Sequence, residues 1–173
     1  GRHLCRRIAR RTPARPPAAL PSLSLLPITG RFDETADALW ARVRGQYAFA
    51  VERSSRYLNW KYREQPFMPH QCCYVMDGDE IEGLLVLREG YPPGEPPLGV
   101  ISECFLVHPT ATRYAYLTQL ATDLLASRGV AGIWAATADA LVEEAYAGLG
   151  FCRLRREPMV MAGREARGWL RVR

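Results

Sequence analysis

The stretch GVISECFLVHPTATRYAYLTQLATDLLASRG, residues 99–129, decides how the chain folds. Its first half, GVISECFLVHP, is a near-continuous apolar run. That pattern marks a strand buried on both faces at the middle of a sheet. Its second half carries apolar residues at helical spacing and stops at Gly129, which predicts a long amphipathic helix. The next segment, VAGIWAATAD (residues 130–139), supplies another buried strand. Strand, helix and strand in succession make a parallel crossover.

Upstream, QCCYVMDGDEIEGLLVLREG (71–90) has two apolar runs around Asp77-Gly78-Asp79, the pattern of a tight hairpin. YPPGEPPLG (91–99) is a loop with four prolines. Two helices come earlier. In RFDETADALWARVRGQY (31–47), Asp33 caps a helix whose Ala36, Leu39, Trp40 and Val43 share a face. In VERSSRYLNWKYREQP (51–66), a serine starts the second helix and Pro66 lies past its end. LSLLPITG (23–30) reads as a first strand. DALVEEAYAGLG (139–150) is a helix capped by Asp139, and FCRLRREPMVMAG (151–163) supplies one or two last strands. The order is β-α-α-β-β-β-α-β-α-β. An antiparallel meander followed by a parallel crossover requires a mixed sheet, so the class is α/β of the α+β type.

The chain has 173 residues, enough for one domain with a full core. No apolar run reaches the ~20 residues of a membrane helix. The net charge of +5 is uneven, because residues 1–15 are arginine-rich and acid-free while the rest is near neutral. That head has no aromatics between its charges, so it does not read as a nucleic-acid face. Residues 1–22, with the proline-rich PARPPAALPS, are expected to be an arm or linker; 23–163 the domain; 164–173 a tail. Five cysteines without a CxxC pair, lying mostly in apolar runs, argue against a disulfide framework and a zinc site. Free thiols and no membrane span imply a cytoplasmic protein.

This element order resembles the GNAT acyltransferase superfamily. Two local stretches strengthen the likeness. AYAGLGF (145–151) resembles that superfamily's step from helix to strand, with a tyrosine four residues before the glycine. RSSRYLNWKYREQP (53–66) resembles a stretch in GNAT-like halves of tandem bacterial proteins from surface-glycan clusters. The resemblance implies transfer of an acyl group from acetyl-CoA or another acyl-CoA to a primary amine of a small molecule or amino sugar. It implies Glu103 as the base, Tyr146 as the acid, and Leu106, Val107, Thr112, Arg113, Tyr114 and Ala115 as cofactor contacts. Arg53, Tyr57 and Trp60 would face the acceptor, and no metal is implied.

Each role has a plain structural counterpart. Glu103 serves equally as an ion-paired carboxylate, Tyr146 and the Tyr57/Trp60 stripe as core, and Arg53 as a solvated helix residue. His108 is a second base candidate or a structural histidine.

The family's diphosphate loop carries an Arg or Gln three residues past the strand's proline and small residues, usually glycine, at four, six and eight. Here those places hold Thr112, Arg113, Ala115 and Leu117. Without glycines the backbone cannot approach a phosphate closely. The alternatives are a site that binds coenzyme A weakly or not at all, and one that relies on Arg113 and the helix amides alone. The first makes the domain a non-catalytic structural or acceptor-binding partner of an upstream GNAT-like domain.

Overall fold

A computed structural model describes residues 2–7, 22–65, 67–90 and 97–156. The elements are β1 (Arg2–Arg7), β2 (Leu23–Ile28), α1 (Glu34–Val43), a 3₁₀ turn (Arg44–Gln46), α2 (Ser55–Tyr62), β3 (His70–Asp77) and β4 (Glu80–Gly90). They continue with β5 (Leu98–Leu106), α3 (Ala111–Ala126), β6 (Gly132–Thr137), α4 (Ala140–Gly148) and β7 (Cys152–Arg156). From β2 onward the order is the one expected from the sequence. The seven strands form one sheet in the order β2-β3-β4-β5-β6-β1-β7, with β5 and β6 parallel and every other pair antiparallel.

The helix boundaries follow from local chemistry. Asp33 accepts the Thr35 amide, Ser54 the Tyr57 amide, Thr110 the Arg113 amide, and Asp139 the Leu141 and Val142 amides. Each satisfies a donor that the helix leaves without a partner. Gly150, at φ +82, ends α4 in a left-handed conformation that a side chain would disfavour. The Phe151 amide returns to the Tyr146 carbonyl and the two rings stack at 4.9 Å. The AYAGLGF step is therefore a helix C-cap locked by an aromatic pair. Gly78, at φ +60, makes the β3–β4 turn.

Two cores sandwich the sheet. On one face α3 and α4 bury Tyr114, Leu117, Leu125, Val142 and Tyr146 against Leu85, Leu87 and Ile101. On the other, α1 and α2 bury Leu39, Trp40, Val43, Leu58 and Tyr62 against Leu84, Val86 and Phe105. Strand β4 alternates between the two, which is why its sequence is apolar throughout. Asn59, buried, binds both the N–H and the C=O of Phe32 at 2.8 Å and ties α2 to the start of α1.

Two expectations need correction, and one lies outside the described residues. Residues 2–7, expected to belong to an arm, form a strand between β6 and β7. That slot is the one an antiparallel partner of β7 would take, and β1 satisfies both neighbours' backbones there. Residues 157–173, with any second final strand and the tail, lie outside the described residues. Strand β6, expected to be buried on both faces, is buried on one: Ile133 and Ala135 face the core, whereas Trp134 is 41% exposed. The α1/α2 layer does not cover its other side.

Candidate functional site

Strands β5 and β6 pair only from Leu98–Ile101 to Gly132–Ala135. Beyond Ile101 no pairing between them continues, and the sheet opens. A β-bulge marks the departure: Val86 faces Glu103 and Leu87 faces Ile101, so Ser102 has no residue opposite. The extra residue re-aims the strand. Ile101 points to the α3/α4 core, whereas Glu103 points with Phe105 to the α1/α2 side.

The opening is a cleft of ≈ 300 Å³ that reaches both layers. Tyr47, Phe49 and Arg53 line it from the segment between α1 and α2, Ser102 to Cys104 from β5, Thr137 to Asp139 from the end of β6, and Val142 and Tyr146 from α4. The two catalytic candidates, Glu103 and Tyr146, meet here.

Glu103 is engaged on both oxygens. Oε1 accepts from Arg53 Nε at 2.9 Å; Oε2 accepts from the Tyr62 hydroxyl at 2.9 Å and lies 3.6 Å from Lys61 Nζ. Its side chain is 10% exposed. Two cations and a phenol thus occupy the carboxylate that the acceptor amine would have to approach. The Arg53 guanidinium lies 5.3 Å from the Trp40 ring centroid and 5.9 Å from those of Tyr47 and Phe105. It also donates to the Val51 carbonyl at 2.8 Å. Arg53, read as an acceptor contact or a solvated arginine, is thus a packed cation that fixes Glu103. Burial, and then the Glu103 charge, push the Tyr62 hydroxyl far up and keep it a donor.

Tyr146 is 1% exposed. Burial raises its hydroxyl well above the ordinary tyrosine range, with the polar groups of Cys104, Tyr114 and Glu103 adding to the rise. It therefore carries its proton at neutral pH. Tyr47, opposite, is also raised, first by burial and then with Arg53 opposing.

Tyr57 and Trp60 are not brought to the cleft. Helix α2 buries Leu58, Asn59 and Tyr62, which leaves Trp60 on the outer side, 56% exposed and packed on Tyr57 at 5.8 Å. Of the aromatic pair expected to line the acceptor site, Trp60 looks outward and Tyr57 packs half-buried against the α1/α2 core.

The expected cofactor contacts gather at the β5–α3 junction, where several of their polar groups are already used. The Val107 N–H donates to the Glu82 carbonyl at 2.7 Å, so strand alternation turns the Leu106 amide to the open side. Tyr114 is fully buried in the same core as Leu106. The Thr110 hydroxyl takes the Arg113 amide at 3.1 Å. The Arg113 side chain turns away onto Asp77, with both terminal nitrogens 3.0 Å from Oδ2, and lies 3.0 Å from Glu82 Oε1. Thr112 is exposed, Ala115 packs against the core, and Leu117 is buried in it. These residues do not fit a coenzyme A diphosphate: the Arg113 amide is taken by Thr110, its guanidinium is paired with two carboxylates, and Leu117 stands where the family has a small residue.

Sequence reasoning missed Tyr47 and Asp139 as cleft residues and Glu82 as the centre of the junction. Glu82 left a signal, a lone acid in the apolar run IEGLLVL (81–87). His108, a second base candidate, sits outside the cleft with its Nδ1 2.9 Å from Glu82 Oε2.

Two solved structures with this architecture are described as acetyltransferases. One, described as "a probable acetyltransferase", superposes with a TM-score of 0.58 at 10% identity over 82% of this chain and 98% of its own. Another, a GCN5-related N-acetyltransferase from Anabaena variabilis, gives 0.57 at 12% identity over 82% of this chain and 34% of its own. No protein-family model matches the chain, and no curated protein matches it by sequence. The fold is that of the GNAT-type acetyltransferases. No helix among the described residues is long and apolar enough to cross a membrane.

Proposed function

We propose that this domain keeps the acceptor cleft of a GNAT-type N-acyltransferase without its hold on acyl-CoA. It binds a small amine, such as an amino sugar, between Tyr47, Glu103 and Asp139, and acts as an acceptor-binding or structural partner of a catalytic domain upstream. One observation carries this reading: at the strand-to-helix junction the Arg113 amide is taken by Thr110 and its guanidinium by Asp77 and Glu82. That the Anabaena structure is matched over 34% of its length agrees with a fold of this kind occurring within a longer polypeptide.

A second reading, acyl transfer by this domain itself, draws on the cleft that joins Glu103 to Tyr146. The protonated Tyr146 hydroxyl suits it, and the doubly ion-paired Glu103 opposes it.

Titration separates the two. Acetyl-CoA at one hundred times its dissociation constant stabilises a protein that binds it by ~2.7 kcal/mol. Millimolar acetyl-CoA is expected to leave the melting temperature unchanged while a panel of amino sugars raises it. A saturable acetyl-CoA shift reverses the assignment in favour of catalysis.

A further inference from the structure

Glu82 is a carboxylate buried to 3% exposure in a strand whose neighbours are apolar. Burying such a charge is costly unless it is fully bound. The β5–α3 junction binds it. The His108 backbone N–H donates to Oε1 at 2.8 Å, His108 Nδ1 lies 2.9 Å from Oε2, and Arg113 lies 3.0 Å from Oε1. The Glu82 carbonyl accepts the Val107 amide as well, so backbone and side chain of this one residue hold the segment leading into α3. Behind it, Asp77 takes both terminal nitrogens of Arg113 and is itself fixed by the Ser22 hydroxyl at 2.9 Å. Two carboxylates thus surround one guanidinium.

The geometry points to an anion site that the chain fills with its own acid: Glu82, backed by Asp77, is an internal occupant that keeps an external phosphate away from Arg113 and the start of α3. The absence of glycines does not explain the closure on its own. Ala115 and Leu117 face the core, whereas Arg113 is withdrawn by charge. This inference rests on the proposed reading that acyl-CoA is not held here, and it assigns a cause to that loss. The closure is electrostatic, so replacing the acids by their isosteric amides releases the arginine while keeping the shape.

The test uses inorganic pyrophosphate on the whole chain, by calorimetry at low ionic strength. Wild type is expected to show no saturable binding at millimolar pyrophosphate. D77N/E82Q is expected to bind at least ~10-fold more tightly, with affinity falling as salt rises, and R113Q added to that pair is expected to abolish the gain. A folded D77N/E82Q protein with wild-type affinity overturns the inference, and so does pyrophosphate binding by wild type. Should the double variant not fold, D77N alone, at a more exposed acid, is expected to show a smaller gain of the same sign, and no gain sinks the idea. Acetyl-CoA binding by wild type would instead overturn the parent reading, so the two failures are distinct.

Discussion

Strand β5 runs past two places that share one backbone and differ in outcome. Around Glu103 the pairing with β6 has ended, the bulge at Ser102 has turned the chain, and a cleft stands open to both helical layers. A few residues on, between Val107 and Arg113, the amides of Val107, His108 and Arg113 and the Arg113 guanidinium are taken up within the chain. The cleft is a property of topology: two parallel strands diverge, and no local side chain closes the gap. The junction is a property of side chains, namely a hydroxyl cap and two acids. A fold can therefore keep its groove while its ligand site closes, and architecture alone does not settle activity.

The contrast can be broken from the cleft side first. Truncating Tyr146 to alanine removes a buried ring stacked on Phe151 and is expected to cost about 4 kcal/mol in urea unfolding. Tyr146→Phe, which removes only the hydroxyl facing the cleft, is expected to cost less than about 1 kcal/mol. Equal losses would make the hydroxyl a structural bond and remove it from the cleft's chemistry.

On the junction side, a Cβ at Gly83 would collide with the Phe105 carbonyl and lie 2.9 Å from Leu106 Cδ2. Gly83→Ala should force β4 and β5 apart at this end and destabilise by about 3 kcal/mol. Unchanged stability would show that the two strands are not tightly joined beside Leu106.

The smallest effect concerns pH. Hydrogen bonds from Ser22 and then Arg113 hold the Asp77 carboxyl below its usual range. A depressed folded value stabilises fully above the unfolded value of ~3.9 and loses that contribution as pH falls through the lower folded one. The gap in urea midpoint between wild type and Asp77→Asn should therefore shrink from about pH 5 to about pH 2. A gap constant over that window would show that Asp77 is not bound as an anion.

Much of this was legible in the chain. The caps Asp33 and Asp139, a serine (54 or 55) at the start of α2, the Gly78 turn and the Gly150 stop are local signals, because each satisfies a neighbouring backbone group or needs a positive φ. The meander followed by a crossover required a mixed sheet, and Glu103 and Tyr146 do share a cleft. The Thr-Arg-Ala-Leu substitution for the family's small residues already placed the diphosphate loop in question. Trp60 was misread because a helix stripe specifies a face without saying which side the sheet lies on. Arg53 was misread because its partners come from β5 and α1, far away in sequence.

By itself, then, the sequence determined the order of elements, the mixed sheet and the loss of glycine at the junction, since these depend on backbone chemistry within a few residues. Only the tertiary structure decided that β1 inserts between β6 and β7, that Glu103 is locked by Arg53, Lys61 and Tyr62, and that Asp77 and Glu82 capture Arg113. The reason is physical: strand pairing and ion pairing join groups through space, and a charge in the sequence carries no label for the partner that will neutralise it.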